Sequence, residues 1–196
     1  MSKKNIAIII GLIVAIIVSP YSSFAKECEI IRDESLRLHI MANSDSDMDQ
    51  RVKLLVRDEI LKTDIFADIN TKEQAINLAN ESKEQIKQIA KEVLRKNGFS
   101  YDVRVEVCEM FFETRYYENF TLPAGKYDAV RIILGEGNGK NWWCVLYPCI
   151  CFSVCVEYND EAKEIICNKD EYVIKFKSVE IYEKCKLFIE NLLKKQ

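Results

Sequence analysis

One stretch limits this chain more than any other: Leu122 to Phe152, LPAGKYDAVRIILGEGNGKNWWCVLYPCICF. It holds four of the six Gly, two of the three Pro and both Trp. Lys126 to Leu134 is rich in β-branched and apolar residues, the composition of a strand. Gly135-Glu136-Gly137-Asn138-Gly139 cannot continue it, because glycine favours open dihedrals and packs no side chain. Trp142 to Tyr147 reads as a second strand, ended where Pro148 removes a ladder donor. The expectation is two strands joined by a wide Gly-rich hairpin turn. A phosphate loop would need G-x-x-x-x-G-K-[ST] opening a helix. Here Gly139-Lys140 leads through Asn141 into an aromatic strand, and a dinucleotide turn fails for the same lack of a following helix.

The rest of the chain supplies partners for these strands. Leu36, Leu38 and Ile40 alternate with Arg37, His39 and Met41, a half-buried strand of period two. It stops at the turn and cap formers Asn43-Ser44-Asp45-Ser46-Asp47. A helix follows with Met48, Val52, Leu55, Val56 and Ile60 on one face. Asp47 and Asp49 sit in its first turn, where the helix dipole favours carboxylates. A calcium loop starting at Asp45 would need Gly and Glu where Gln50 and Val56 stand, so capping is the reading. Thr71 and Gln74 form a capping box that opens a second helix. Its seam is Ala75, Ala79, Ser82, Ile86, Ile89 and Val93, and Asn97-Gly98 ends it. Tyr101, Val103, Val105 and Val107 form another strand. Phe111, Phe112, Tyr116, Tyr117 and Phe120 follow in a loop-like segment, expected to cover one end of the core, the alternative being an exposed aromatic patch for a partner. Val154 and Val156 extend the pattern to a turn at Asn159-Asp160. Glu171 to Lys177 is expected as a further strand, and Ser178 as the cap of a last helix bearing Ile181, Cys185, Phe188 and Leu192. The fold class is α+β: a largely antiparallel sheet with helices packed on one face.

The N-terminus has its own grammar. Lys3 and Lys4 precede an unbroken apolar run from Ile6 to Val18, and Ser23-Phe24-Ala25 offers small residues at the two positions a signal peptidase reads. Residues 1–25 are expected as a secretory signal cut after Ala25, and 26–196 as a single exported domain. The alternative is an uncleaved anchor, since no charge appears between Lys4 and Lys26. A formal net charge of −3 gives no basic footprint for nucleic acid. The eight Cys all lie beyond the cut; an even number in an exported chain permits disulfides, while several sit where a free Cys packs as a small hydrophobe.

No catalytic constellation is visible. The chain has one His, His39, on a strand beside Arg37. A secreted cysteine hydrolase would have to pair it with Cys144 or Cys151, and no local signature supports that. Cys144, Cys149, Cys151 and Cys155 lack the C-x₂-C spacing of a zinc site. No metal, cofactor or small-molecule substrate is expected, and the chain reads as a non-enzyme. The other alternative is a membrane-anchored extracellular binding domain.

Two segments in this order resemble one family. Leu36-Arg37-Leu38-His39-Ile40 with Ala42-Asn43-Ser44-Asp45-Ser46 and Val56-Arg57-Asp58 form the first. Leu122 to Tyr127, Gly135-Glu136-Gly137, and Asn141 to Pro148 with Cys151-Phe152 form the second. Together they are similar to the stage II sporulation protein R family of endospore-forming bacteria, over about residues 35–152. The resemblance implies a secreted signalling protein made in the forespore and exported into the space between forespore and mother-cell membranes. There it would trigger a membrane-embedded aspartic protease that processes the sigma-E precursor. Partner-binding residues are then expected among Asn43, Ser44, Asp45, Asn141, Trp142 and Trp143, with one of the two Trp as an anchor. The family pattern also suggests a Cys144–Cys151 disulfide. The chain departs from that pattern at Cys149, where a second Pro is common.

Overall fold

The computed structural model describes residues 3–66, 69–117, 120–148 and 169–194. The chain divides into two compact units. One comprises residues 34–111 and 126–157, the other residues 1–33, 112–125 and 158–196.

The first unit is α+β, as its periodicities require. Strand β1 (Leu36–Met41) leads into helix α2 (Asp47–Leu61), and α3 (Lys72–Glu81) and α4 (Lys83–Lys96) precede β2 (Val103–Phe112). After β5 (Gly125–Leu134) comes β6 (Asn141–Tyr147). The sheet order is β2-β5-β1-β6. Strand β1 is parallel to β5 and antiparallel to β6. Gly135 N–H donates to Asp102 O, and Arg131 faces Glu106. These contacts run β2 antiparallel to β5.

The hairpin expected between β5 and β6 is therefore not formed, because β1 lies between them. A central strand has donors and acceptors on both edges to satisfy, and β1 takes one partner on each side. Crossing it means covering two strand spacings, roughly 10 Å. The six residues 135–140 can span that distance, whereas a tight two-residue turn could not.

Leu36, Leu38 and Ile40 point to the helical side, into one core with Val52, Val56 and Ile60 of α2, Ile86, Ala90 and Leu94 of α4, and Val130 and Ile132 of β5. Each such aliphatic side chain contributes about 1.5–3 kcal/mol by leaving water. The opposite face of β1 is buried as well: Arg37 is 0% and His39 2% exposed. The half-buried strand is thus a fully buried one. Its guanidinium lies 5.0 Å from the Tyr127 ring centroid, and His39 stacks on Trp143 at 3.8 Å.

The helices also depart from their expected faces. In α2 the buried residues are Asp49, Val52, Lys53, Val56 and Ile60, while Met48 and Leu55 are exposed. The face is turned toward Asp49, which has hydrogen bonds to collect there. The helix expected from Thr71 onward breaks at Ser82 into α3 and α4. Ser82 has φ −89° and ψ 3° and is buried among the seam residues. Serine, a weak helix former, tolerates the departure. The Thr71 cap stands: its Oγ accepts from Gln74 N–H at 3.2 Å.

The second unit holds helix α1 (Lys3–Asp33), the two-stranded ladder β3 (Arg115–Tyr116) with β4 (Thr121–Leu122), and a last helix, here α5 (Lys169–Leu193). The loop-like aromatic segment thus contains the end of β2 and this small ladder. The strand expected over 171–177 is the first part of α5 instead. Tyr172, Phe176 and Val179 recur at steps of four and three, which serves a helix better than a strand. Phe24 of α1 lies against them, stacked on Tyr172 at 5.5 Å and edge-on to Phe176 at 5.1 Å. Arg32 ties the unit by donating to Ala124 O at 3.1 Å and pairing with Glu183 at 3.2 Å. Cys28 is buried there, which pushes its thiol pKa up to about 12. Among the described residues, no helix is long and apolar enough to cross a membrane. Val154, Val156 and the Asn159-Asp160 turn lie outside the described residues.

Candidate functional site

The loop that crosses β1 meets the segment leaving β1. Gly139 N–H donates to Ala42 O at 2.9 Å and Asn138 N–H to Asn43 O at 3.1 Å. Asn43 Oδ1 accepts from Glu136 N–H at 3.0 Å, and Asp45 Oδ1 from Lys140 N–H at 2.7 Å. Two positions need glycine for this approach. A Cβ on Gly135, whose φ is +58°, would overlap the Asn43 amide, and one on Gly139 would overlap Ser44 O. The open dihedrals that marked the turn are used to bring its backbone against β1.

Asp49, 4% exposed, organises the underside of this platform. Its carboxylate accepts from Asn43 Nδ2 at 3.0 Å, Ser44 Oγ at 2.5 Å and Tyr101 OH at 3.1 Å. Its own N–H donates to Ser46 Oγ at 3.2 Å, the N-cap bond of α2. Burial opposes ionisation of Asp49, but hydrogen bonds from Ser44, Asn43, Tyr101 and Ser46 outweigh it and hold the carboxyl below its ordinary value. Burial and the Asp49 carboxylate together push the Tyr101 hydroxyl well above the ordinary phenol range. Lys53, 5% exposed, donates to Lys140 O at 2.9 Å and Gln50 Oε1 at 2.6 Å. Burial lowers its pKa, against the attraction of Asp45.

The expected residues fall at this one end of the sheet, in unequal situations. Met41 pairs with Asn141, Ile40 with Trp142 and His39 with Trp143. Asp45 and Asn141 are exposed, with Glu136, Asn138 and Lys140 of the crossing loop beside them. Asn43 and Ser44 are turned inward to Asp49. The two Trp point to opposite faces, as alternation requires. Trp142 lies on the helical side with the Arg57 guanidinium 5.1 Å from its ring centroid, and Trp143 lies against His39. Both are half-buried. Cys144 stands in a disulfide, while Cys28, Cys108 and Cys185 are free thiols. Cys149, Cys151 and Cys155 lie outside the described residues.

Sequence reasoning gave Asp49, Gln50 and Tyr101 no part in the site and passed over Lys53. A carboxylate in the first turn of a helix reads as a dipole partner, and a Tyr in a strand reads as core. The signal that could have found them is the repetition of short polar residues from Asn43 to Asp49. They are too many for one cap and need a common acceptor. Among the described residues, no group of His, Cys, Asp and Glu is placed to hold a metal ion.

The family model described as stage II sporulation protein R matches residues 32–157. The stage II sporulation protein R of Bacillus subtilis (strain 168) is 43% identical over 125 residues, covering 63% of this chain and 56% of that protein. The chain thus aligns with little more than half the length of that relative. No solved structure matches. The matched span contains β1, the crossing loop and the Asp49 platform; α5 lies beyond it.

Proposed function

Because the chain belongs to the stage II sporulation protein R family, we propose that it is an exported signalling protein of endospore formation. In this reading it acts between the forespore and mother-cell membranes. It triggers the membrane-embedded aspartic protease that processes the sigma-E precursor, and it does so as a ligand, without catalysis of its own. The observation that carries the reading is the joining of the two signature segments. Separated by 95 positions, Asp45 and Lys140 are held together by a hydrogen bond at one end of the sheet. A set of short polar side chains and glycines spent on shaping one exposed loop suits recognition. His39, buried and stacked on Trp143, is poorly placed to meet a substrate.

The proposed contact surface is Asp45, the crossing loop and Asn141, with Trp142 and Trp143 at its margins. Asn43 and Ser44 act by holding that surface in shape. A ligand activates its partner only by binding the active state better than the inactive one.

The experiment is co-expression with the protease and a tagged sigma-E precursor in a host that does not sporulate, following precursor size. Shortening is expected to require this chain, to survive His39→Ala if the variant folds, and to fail in Asp45→Lys with folding intact. Dependence on His39 in a folded variant would favour a hydrolase. No shortening with folded, exported protein and a competent protease would overturn the assignment.

A further inference from the structure

Helix α5 is apolar on two sides, and only one is covered. Phe176 and Val179 are buried within its unit. Across the helix Ile174 is 79%, Ile181 58%, Phe188 65% and Leu192 51% exposed, with Tyr182 and Ile189 exposed beside them. At 100° per residue these six side chains sweep an arc of roughly 120°. An apolar face this wide on a helix already seated by its other side is unusual for a surface left in water.

The charges bordering the face say what could cover it. Lys177 and Lys184 lie along one border, Lys175 and Lys186 along the other. From Ile174 to Leu192 the acidic residues are elsewhere: Glu180 and Glu183 are on the buried side, and at 100° per residue Glu190 falls between Val179 and Glu183. Glu180 pairs with Lys177 at 3.2 Å and Lys184 at 2.9 Å, and Glu113 pairs with Lys184 at 2.7 Å, so one border is partly neutralised. On the other border Lys175 lies 4.6 Å from the Tyr172 ring centroid, and among the described residues no carboxylate forms an ion pair with it. Lysines at the margins of an apolar strip can lay their stems on hydrocarbon and extend their ammonium groups to phosphate. A second copy of α5 packed on this face would set lysine borders against each other, where paired helices place opposite charges. Helix α1 of the same unit also exposes Ile6, Ile8, Ile9 and Leu12.

We infer that α5 is an interfacial helix whose Ile174–Leu192 face lies in the surface of an anionic lipid bilayer. Its charges forbid a spanning role, and a helix with this division of faces rests in the plane of the interface. The inference does not rest on the signalling reading: α5 lies outside the family match, and either can fail alone.

Cys185 gives a direct test, being an exposed free thiol within the face. The full chain, with Cys108 replaced by Ser, would carry a nitroxide on Cys185, its site confirmed by mass. Accessibility to oxygen and to a water-soluble nickel complex would be read with and without vesicles. With vesicles containing phosphatidylglycerol, the label should gain oxygen contact and lose nickel contact, and do so several-fold less with phosphatidylcholine alone. Ile181→Asp and Phe188→Asp should each weaken this transfer by about tenfold or more. A label still reached by nickel on vesicles bound through α1 would overturn the inference. So would label–label broadening in the absence of lipid, which would mean that a second copy covers the face. Equal entry into both vesicle types would remove the lysines from the explanation and overturn the anionic assignment.

Discussion

Helices α2 and α5 both bury charge and expose apolar side chains, but for different reasons. In α2 the exchange is accounted for within the chain. Asp49 and Lys53 take inward positions because Asn43, Ser44 and Tyr101 donate to one and Lys140 O and Gln50 accept from the other, and Met48 and Leu55 face water as a result. In α5 the buried Glu180 and Glu183 are paired with Lys177, Lys184 and Arg32, but that pairing does not require an exposed Ile174 or Phe188. Exposed apolar surface therefore points to a partner only after the buried polar groups on the same helix have been accounted for.

The comparison breaks most visibly at Asp49. Asp49→Ala would leave three buried or half-buried donors without their acceptor, a loss of about 3 kcal/mol. Urea denaturation followed by the fluorescence of Trp142 and Trp143, both in the sheet unit, measures it. A loss below about 1 kcal/mol would mean that water replaces the carboxylate and that α2's inward turn has another cause. Asp49 also ties stability to pH. Its folded pKa lies below the unfolded one. Its contribution is present above the unfolded value, near 3.9, and fades as pH falls through the lower folded value. Asp49→Asn should flatten that acid branch, and an unchanged branch would assign it to other carboxylates.

Gly139→Ala tests the crossing loop. Its Cβ would meet the Ser44 carbonyl, a backbone atom, so the loop must shift, at a cost of about 1–3 kcal/mol. The same denaturation curve reads the loss, and Asp45-dependent signalling should fall with it. Ser46→Ala removes the α2 cap and should cost about 1 kcal/mol. The smallest effects sharpen the contrast. Met48→Gln and Ile181→Gln should each leave stability within about 0.5 kcal/mol, since both side chains already face water. Only the second should weaken vesicle binding. If Met48→Gln weakens it equally, the two helices are not different in kind.

How much was legible follows from how local each signal is. The strand 36–41, the Thr71 cap and the Gly-rich interruption before Trp142 depend on neighbouring residues, and all three are present in the structure. The Gly-rich segment announced a turn, yet nothing in it states how many strands the turn must cross. The insertion of β1 between β5 and β6 depends on residues some 90 positions away. The α2 face was misjudged at Met48 and Asp49 because periodicity counts apolar side chains and cannot see that Tyr101 and Asn43 will arrive to satisfy a carboxylate. Through the family pattern, the nearness of the candidate residues Asn43 to Asp45 and Asn141 to Trp143 was legible. Their division into exposed Asp45 and Asn141 and inward Asn43 and Ser44 was not.

By itself, then, the sequence determined the α+β class, the bounds of β1, β5 and β6 to within a residue, the family and its two signature segments. Helix caps, strand alternation and glycine conformations are settled by residues a few positions apart. The tertiary structure alone decided the strand order, the burial of Arg37 and His39, the gathering of donors on Asp49 and the open face of α5. Each of these depends on which distant group occupies the space beside a side chain, and hydrogen-bond satisfaction and burial are properties of that occupied space rather than of the chain's local pattern.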